Sequence, residues 1–574
     1  MLYKKLAELY ESLGGTTKRL EKIDILSKFL EHLSDEDREI IYLLEGNIYP
    51  EYDERKIGIS NQLAIKAISK ATGINSKKVI QEWKKIGDLG EVAKKLTSEK
   101  KQRTLASHIL TTKKVLENLR KLPELEGKGT VDKKIALITE LLTSAEPTEA
   151  LYLVRTLIGD LRIGTQESTI RESLAKAFFE NIDEAPEKIQ DAIDKSNDTV
   201  EVFDYCKKRK IKELEKISMQ IGKPIKAMLA QKVSTIEEGF KALGKPCAIE
   251  YKYDGFRMII HKKNSEVKLF TRSLENVTLQ FPEVVEYIKQ FVKGDSFILD
   301  SEAVGYDKKT KKYTSFQNIS QRIKRKYNIE KLQEELPVEV NVFDILFYNG
   351  KSLLEKPFEE RAKLVRKIIS LHPYKIISSK QIITSDENKA KEFYKEALRN
   401  NQEGVMMKNL KAPYKPGRRV GNMLKMKPEE KDLDLVITGA EYGKGKRSGW
   451  FSSFIISCKG DKSGEYLEIG KVGTGIVEKE ENKEDNEKVS FGELTEKIKP
   501  LIKKEEKEGV CIKPRIIVSV TYQEIQKSPN YNSGWALRFP RITKLRPDKL
   551  LSEIADLKEI EKDFNNQKRN WRYG

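Results

Sequence analysis

The chain has 574 residues, and its 108 lysines and arginines exceed its 89 aspartates and glutamates, giving a formal net charge of +19 with only 4 histidines. Roughly 100–200 residues per domain suggests about three domains, which excludes a peptide hormone or a short disordered tail. Charged residues reach 34% but hydrophobic residues still reach 38%, which excludes wholesale disorder. The basic excess indicates a polyanionic partner, either nucleic acid or an acidic membrane, although a lysine-rich composition on solvated faces would produce the same excess.

Two further absences narrow the class of protein. The four cysteines, Cys206, Cys247, Cys458 and Cys511, include no C-x-x-C pair, so neither a disulfide framework nor a zinc site is predicted. No segment approaches the roughly 18 apolar residues that span a bilayer, and the N-terminus lacks the pattern of a signal peptide. The sequence therefore predicts a cytoplasmic, nucleoid-associated protein that has no membrane partner.

The first part of the chain, up to about residue 220, has apolar residues at helical spacing. Leu20, Ile23, Leu26, Leu30 and Leu33 are one such series. This periodicity predicts an all-helical region. The segments SKATGINSKKVIQEWKKIG and GDLRIGTQESTIRESLAKAF combine turn residues, helix starts and basic side chains, which suits contacts with phosphates, although ordinary helix caps would explain the same features.

The pattern changes near residues 220–235, where glycine and proline interrupt the chain in GKPIKAMLAQKV. Strands are then predicted in CAIEYKYD, EVKLFTR, SFILDSEAVGY, VEVNVFDILFY and GVMMKNL, with helices between them such as FEERAKLVRKIISL. The middle of the chain is therefore predicted to be α+β. Further strands, LDLVITGAEYG, WFSSFIISCKG, EYLEIGKVGTG and RIIVSVTYQEI, predict a small C-terminal β-barrel, with residues 478–488 as an exposed acidic loop.

A lysine in the first of the middle strands is the main candidate for catalysis. In EYKYDGFR, strand alternation places Glu250, Lys252 and Asp254 on one face. A lysine between carboxylates on a half-buried strand is unusual, although a structural ion pair would also account for it. The preceding GFKALGK matches part of a P-loop, but Pro246 stands where a serine or threonine should bind magnesium, so a helix with a glycine C-cap is predicted there.

An ordered series of polar residues follows at predicted strand ends and turns. It comprises Thr271-Arg272-Ser273, Asp300-Ser301-Glu302, Val342-Phe343-Asp344, Glu403 to Lys408, and Lys425 with Lys427. This series resembles the nucleotidyltransferase motifs of the ATP-dependent DNA ligases, and the whole chain resembles an archaeal member of that family. GDLRIG resembles part of the family's helical domain and LRFPRITKLRPDK its last motif, whereas Leu274 replaces a common glycine and Met423 a common aromatic residue.

The resemblance implies three domains. They are a helical DNA-binding domain at residues 1–222, an α+β nucleotidyltransferase (adenylation) core at 223–430, and a C-terminal β-barrel of the OB-fold type at 431–574. It also implies nick sealing in duplex DNA during replication, repair and recombination. The reaction would run through a lysine–AMP intermediate, AMP transfer to the 5′-phosphate, and attack by the 3′-hydroxyl.

The same resemblance implies roles for individual residues. Lys252 would attack the α-phosphate of ATP, Glu250 would accept a hydrogen bond from the adenine amino group, and Phe343 would stack on adenine. Glu302 and Glu403 would hold Mg²⁺ or Mn²⁺, and Glu302 would also contact the ribose.

The remaining predicted site residues are cations. Only a neutral amine can attack, so positive charges near the nucleophile are expected, and Arg257 and Arg272 are the candidates. Both would also clamp phosphate oxygens. By resemblance, Arg419 and Lys425 would bind the triphosphate, with Lys427 nearby.

The expected partners are nicked duplex DNA and, through Gln102 and Leu105, a sliding clamp, with the chain acting as a monomer. Two alternatives stay open at this point. An RNA ligase or mRNA-capping nucleotidyltransferase shares the lysine motif, although the long helical region argues against both. A basic DNA-binding scaffold without catalysis is the other. The sequence also leaves open whether ADP, GTP or NAD replaces ATP.

Overall fold

The computed structural model describes residues 1–99, 109–180, 182–314, 316–323, 325, 327–428, 431–443, 447, 449–462, 464–478, 489–506 and 509–570. The chain forms two compact units, Met1–Lys427 and Pro428–Gly574. The predicted clamp-binding residues Gln102 and Leu105 lie outside the described residues, as do residues 479–488 of the predicted acidic loop. No described helix is both long and apolar enough to cross a membrane.

The N-terminal part of the chain forms a helical region, as predicted. Its described α-helices are α1 (Tyr3–Gly15), α2 (Arg19–Glu31), α3 (Ile40–Leu44), α4 (Asn61–Thr72), α5 (Ser76–Ile86), α6 (Leu89–Ser98), α7 (Thr112–Glu124), α8 (Thr130–Ser144), α9 (Pro147–Leu157), α10 (Glu167–Phe179), α11 (Ala185–Ser196) and α12 (Thr199–Cys206). In α2, Leu26 and Leu30 are fully buried. Leu20, which the periodicity grouped with them, is 76% exposed because it lies in the first turn, off that apolar stripe.

Capping interactions fix the GDLRIG turn against α6. Asp88 caps α6, since its Oδ1 accepts a hydrogen bond from the Gly90 backbone N–H at 2.8 Å. Its Oδ2 accepts from Nη2 of Arg155 and from Nη1 of Arg162, each at 2.7 Å. Arg162 adopts a left-handed φ of 56°. The charge of Arg162 is therefore partly used to hold the turn in place.

Glu45 makes the stability of the helical region depend on pH. Its Oε1 accepts a hydrogen bond from the Thr199 hydroxyl at 2.6 Å. Burial raises the pKa of Glu45 from 4.5 to about 7, with Thr199 and Lys226 opposing the rise and Glu167 and Glu51 adding to it. Because the folded-state pKa is the higher one, stability falls as pH rises from about 4.5 to about 7 and then levels off.

We expect Glu45→Gln to stabilise the protein more at pH 8 than at pH 5, by up to about 3 kcal/mol in unfolding free energy. Thermal unfolding of both proteins at the two pH values measures this difference. Glu36→Gln is the matched control, because Glu36 is exposed. A gain from Glu45→Gln that is the same at both pH values would contradict the assignment.

An α+β core follows the helical region within the same compact unit, and its α+β character is as predicted. Its described helices are α13 (Ile236–Leu243), α14 (Pro282–Phe291), α15 (Phe316–Ile323), α16 (Ile329–Glu335), α17 (Phe358–Ile368) and α18 (Glu387–Arg399). Its described strands are β1 (Gln231–Lys232), β2 (Cys247–Lys252), β3 (Phe256–Lys263), β4 (Glu266–Thr271), β5 (Ser296–Gly305), β6 (Val338–Tyr348), β7 (Lys351–Ser352), β8 (Ile376–Ser378), β9 (Gln381–Thr384), β10 (Gly404–Lys408) and β11 (Met423–Met426).

Two sheets organise these strands. One has the order β1-β11-β10-β2-β9, and the other has the order β4-β3-β5-β6-β7 with β8 paired to β6. The segment that matches part of a P-loop forms α13, which ends at Gly244 with a φ of 82°. The prediction of a helix with a glycine cap is therefore confirmed.

The second unit, Pro428–Gly574, is mainly β. Its described elements are β12 (Lys431–Tyr442), β13 (Phe451–Lys459), β14 (Tyr466–Val472), α19 (Phe491–Ile498), β15 (Ile502–Glu505), β16 (Gly509–Tyr522), β17 (Glu524–Lys527), β18 (Trp535–Arg538), β19 (Arg541–Leu545) and α20 (Leu557–Asn570). The larger sheet has the order β14-β13-β12-β16-β15 with β19 on β16, and β17 pairs with β18. The pairings between described strands establish a C-terminal sheet domain but do not close it into a barrel.

Candidate active site

One pocket of the unit Met1–Lys427 collects most of the predicted site residues. Its volume of about 380 Å³ lies within the roughly 300–1,000 Å³ typical of small-molecule sites. Among the residues that line it are Glu250, Lys252, Arg257, Arg272, Glu302, Phe343, Arg419 and Lys425. The other two predicted residues, Glu403 and Lys427, adjoin the same site through the ion pairs of Glu403 with Lys252 and Lys427.

Strand pairing brings these distant residues together. Lys252, at the end of β2, pairs with Gly404 at the start of β10, and β10 in turn pairs with β11, which carries Lys425. In the other sheet, Arg257 of β3 lies opposite Glu302 of β5. The chemistry therefore assembles where the ends of neighbouring strands meet.

Lys252 and Glu403 form the centre of the site. The Lys252 Nζ lies 2.6 Å from the Glu403 Oε2, and the Lys427 Nζ lies at the same distance from the same oxygen. Burial of Glu403 raises its pKa, but the two ammonium groups outweigh burial and hold it well below its usual range. Glu403 is thus ionised at neutral pH and fixes the Lys252 side chain, which is 22% exposed.

Glu302 lies beside this ion pair but is in a different electrostatic state. Burial is the main cause that raises its pKa to about 8, and the charges of Glu403 and Asp300 add to the rise. Lys252 and Arg257 oppose it. A cation bound beside Glu302 and Glu403 would favour the ionised form of Glu302.

The carboxylate pair suits Mg²⁺. Mg²⁺ usually takes one or two protein carboxylates and keeps several waters or phosphate oxygens. Within the part of the chain that the structure describes, no group of three or more His, Cys, Asp or Glu is placed to hold a metal ion. Glu302 and Glu403 fit as a two-ligand set on these grounds.

The Arg257 guanidinium already donates hydrogen bonds within the protein, which the sequence did not indicate. Its Nε donates to Asp300 Oδ1 at 2.8 Å and its Nη2 to Asp300 Oδ2 at 2.5 Å, while Nη1 donates to the Met228 carbonyl at 2.7 Å. The Tyr414 hydroxyl donates to Asp300 Oδ2 at 2.7 Å. Arg257 therefore holds the pocket wall at Met228, with its charge balanced by Asp300.

A second, buried ion pair, between Glu250 and Lys408, also lines the pocket. Glu250 is only 2% exposed, and its Oε2 lies 2.6 Å from the Lys408 Nζ. Gln381 donates to Oε1 of Glu250 at 2.7 Å. Burial raises the pKa of Glu250, and Lys408 opposes the rise. The Lys408 Nζ also lies 4.7 Å from the centroid of the Phe343 ring, so the predicted acceptor and the predicted stacking ring share one cation.

The predicted phosphate-binding cations Arg272, Arg419 and Lys425 line the same pocket. Arg272 and Arg419 are exposed, whereas Lys425 is partly buried. Burial is the main cause that lowers the pKa of Lys425, followed by the charges of Lys252, Lys427, Arg419 and Arg272. So many cations at short range favour an anionic ligand and a neutral amine.

Lys408 and Asp300 belong to the predicted motif series but were given no role, and Tyr414 was not among the candidates. Lys408 had a readable signal, because it lies two residues after Met406, which pairs with Glu250, and so points to the same face of the sheet. Asp300 likewise lies two residues before Glu302 on β5. Tyr414 had no such signal, since it reaches Asp300 from outside both sheets.

Leu274 stands where the family's motif commonly has glycine, and the structure shows how leucine is accommodated there. It follows Arg272 in the turn after β4, with a φ of 66° and a side chain that is buried. Glycine adopts this left-handed conformation without steric cost, whereas leucine does not. Burial of the leucine side chain offsets that cost here.

The basic residues of the last motif lie in the C-terminal unit. Lys544 and Arg546 line a pocket of about 770 Å³ within that unit. Nη1 of Arg546 donates to Asp434 Oδ2 at 2.8 Å, and Nη1 of Arg538 donates to Glu524 Oε1 at 2.9 Å. Among the described residues, Lys544 therefore forms no such ion pair with a carboxylate, in contrast to Arg538 and Arg546.

Comparisons with known proteins agree along the full length of the chain. The family described as "ATP dependent DNA ligase domain" matches residues 227–427, "DNA ligase N terminus" matches 2–175, and "ATP dependent DNA ligase C terminal region" matches 447–549. A DNA ligase of Nanoarchaeum equitans is 45% identical over 99% of both chains. The chain belongs to the ATP-dependent DNA ligase family. A DNA ligase of Thermococcus fumicolans is 38% identical over 99% of both chains.

A solved structure supports the fold of this ligase. The structure called "Pmar-Lig_PreS3" covers 94% of this chain and 99% of its own, with a TM-score of 0.57 and 18% identity. At that identity the likeness concerns the fold alone. Together with the family matches it confirms a multidomain ligase with a helical N-terminal region, a nucleotidyltransferase core and a C-terminal sheet domain.

Proposed function

We propose that this ligase seals nicks in duplex DNA through a covalent Lys252–AMP intermediate. The observation that supports this best is the placement of Lys252, at the end of β2, within a pocket lined by the nucleotide-binding residues of the family's motifs. Family membership supports ATP as the substrate. The scaffold alternative is disfavoured by the family membership and by the pocket that Lys252 shares with Arg272, Arg419 and Lys425.

In the first step the chain's residues orient ATP with its base toward Glu250 and Phe343. The Lys252 ammonium loses a proton, its amine forms a bond to the α-phosphorus, and the bond from that phosphorus to pyrophosphate breaks. Arg272, Arg419 and Lys425 stabilise the pyrophosphate as its charge develops. Lys427 keeps Glu403 ionised once Lys252 has become uncharged.

The next two steps move AMP onto the nick and off again. A 5′-phosphate oxygen attacks the α-phosphorus and frees Lys252, and the 3′-hydroxyl then attacks the 5′-phosphorus and expels AMP. Glu302 and Glu403 would hold Mg²⁺ or Mn²⁺, which neutralises charge on the reacting phosphates. The cations around Lys425 hold the reacting groups in line.

Several finer statements are part of the same proposal. The domains are 1–222, 223–430 and 431–574, and the last is an OB-fold barrel, which the antiparallel sheet of the C-terminal unit supports. Lys544 of that unit contacts pyrophosphate or the DNA backbone.

The chain would lie in the cytoplasm with the nucleoid, because its substrate is chromosomal DNA. It would act as a monomer. Gln102 and Leu105 would bind a sliding clamp. The double variant Gln102→Ala/Leu105→Ala should then lose binding to the purified clamp.

The test is formation of a labelled adduct. Incubation with α-labelled ATP and Mg²⁺ should label the protein, and adding unlabelled nicked DNA should discharge the label. Parallel reactions with ADP, GTP and NAD define the nucleotide. Nicked RNA duplexes that discharge the label as fast as DNA would favour the RNA ligase alternative, and an unlabelled protein would refute the proposal.

Binding to nicked DNA should depend steeply on salt, because the net charge of +19 is available to duplex phosphates. For roughly 6–10 phosphate contacts, affinity falls by about 10³–10⁵ between 50 and 200 mM salt. Fluorescence anisotropy with a labelled nicked duplex, titrated at several salt concentrations, gives the slope. Equal slopes for duplexes of unrelated sequence are expected, since an enzyme that seals any sequence contacts phosphates. A flat salt dependence would contradict this prediction.

A further inference from the structure

The helical region and the nucleotidyltransferase core meet through charges of opposite sign. Lys226 of the core lies 2.6 Å from Glu51 and 2.8 Å from Glu167 (Nζ to Oε2). Arg418 of the core donates through Nε to Asp194 at 2.6 Å and through Nη2 to Asp191 at 2.7 Å. The cations belong to the core and the acids to the helical region. We call Lys226, Arg418 and these four acids the junction.

The Arg418–Asp194 pair is the most buried part of the junction, whereas the Glu51 and Glu167 side chains that contact Lys226 are 48% and 39% exposed. The Asp194 side chain is only 5% exposed and that of Arg418 is 21% exposed. Burial raises the pKa of Asp194, and Gln190 and Arg418 oppose the rise. Gln190 donates to both Glu167 and Asp194, at 2.8 and 2.9 Å. Ion pairs in such surroundings have well-defined geometry and are weakened little by solvent screening.

The two core segments of the junction also form part of the nucleotide pocket. Lys226 precedes Met228, Leu229 and Ala230, and Arg418 precedes Arg419, and all four of these neighbours line the pocket. The Leu229 backbone N–H donates to the Arg418 carbonyl at 2.9 Å. A Cβ on Gly417 would lie 3.2 Å from the Lys226 side chain, so the segments pack closely there.

We infer that Arg418 is a positioning residue for enzyme adenylation, through which helix α11 holds the phosphate side of the ATP pocket. Arg418 is not among the residues that line the pocket, although its carbonyl contacts Leu229, which is. Its ion pairs with Asp191 and Asp194 fix the backbone from which Arg419 extends. The helical region would then contribute to a step that involves no DNA. This inference rests on the proposed function, because it concerns the adenylation of Lys252.

The test measures adenylation without DNA. Initial rates of labelled AMP–protein formation at varied ATP are compared for the wild type, Asp194→Asn, Arg418→Gln and the double variant. We expect KM for ATP to rise roughly twofold to thirtyfold in each single variant, the range of couplings carried by packed networks. The double variant should be little worse than either single variant, because both remove one interaction. Arg418→Lys keeps the charge and should recover part of the loss.

Glu215→Gln is the matched control, because it removes one acid from a pair within the helical region, where Lys188 donates to it at 2.8 Å. Its KM for ATP should stay at the wild-type value. Thermal unfolding of every variant separates positioning from lost stability, since a structural role alone would lower the unfolding midpoint and leave KM unchanged. Unchanged KM in Asp194→Asn and Arg418→Gln, with a wild type that forms the adduct, overturns the inference. A wild type that forms no adduct overturns the proposed function instead.

Discussion

Lys252→Ala is expected to abolish the labelled AMP–protein adduct and nick sealing, with a loss on the order of 10³-fold or more. The reason is chemical, since the variant lacks the amine that is proposed to bond to the α-phosphorus, and the other lysines that line the pocket, Lys408 and Lys425, lie on other strands. Lys427 contacts the same Glu403 oxygen as Lys252, each at 2.6 Å, so it is the first residue to test if an adduct persists. Gel detection of the labelled protein and a nick-sealing assay measure the two losses.

Lys252→Arg is the sharper variant of the same test. The guanidinium keeps a positive charge beside Glu403, so the electrostatic balance of the site is preserved while the nucleophile is removed. Lys263→Ala controls for loss of a lysine, because Lys263 is exposed at the far end of β3. A labelled adduct that persists in Lys252→Ala or Lys252→Arg would show that another residue carries AMP.

Asp300→Ala should be the most destabilising single change at the site, by about 3–5 kcal/mol. Asp300 is fully buried and accepts hydrogen bonds from Arg257 and from the Tyr414 hydroxyl. Its loss leaves the Arg257 guanidinium without a counter-ion. Adenylation should fall as well, since Arg257 also holds Met228 in the pocket wall. Thermal unfolding and the adduct assay read the two effects.

The control for Asp300 is an ion pair of the same kind at the surface. Glu266 lies 3.1 Å from Lys268 and its side chain is 63% exposed, so Glu266→Ala should cost less than about 1 kcal/mol. Arg257→Met combined with Asp300→Leu removes both charges and should be more stable than Asp300→Ala alone. If Asp300→Ala unfolds like Glu266→Ala, the buried network does not support the core.

Much of this architecture could be predicted because it depends on local pattern. Period-3.6 stripes identified the helical region, and alternation in CAIEYK and SFILDSEAVG identified β2 and β5. The candidate site residues could be named because their motifs follow one another in a fixed order, and the family resemblance supplied the role expected of each. Strand β3, which carries Arg257, was not among the predicted strands, since the glycine turn before it hides the start of the alternation.

What could not be predicted depends on long-range contacts. Arg257 was interpreted as a phosphate ligand because nothing in the sequence shows that Asp300 occupies its donors. Tyr414 reaches that pair from a loop far along the chain, and Arg418 contacts α11 across more than two hundred residues. Tertiary packing decides which side chains form these ion pairs and hydrogen bonds. Barrel closure is another such property, which a list of strands cannot establish.

Glu403 is attached to the nucleophile twice. Besides the ion pair, its backbone N–H donates to the Lys252 carbonyl at 2.8 Å, just before Gly404, whose Cβ would lie 2.1 Å from the Met426 carbonyl oxygen. The lysine and its counter-ion therefore belong to one rigid piece of sheet. If other parts of the chain move around the substrates, Glu403 therefore stays next to Lys252. The Lys252–Glu403 ion pair would then not have to be assembled again between the three proposed steps.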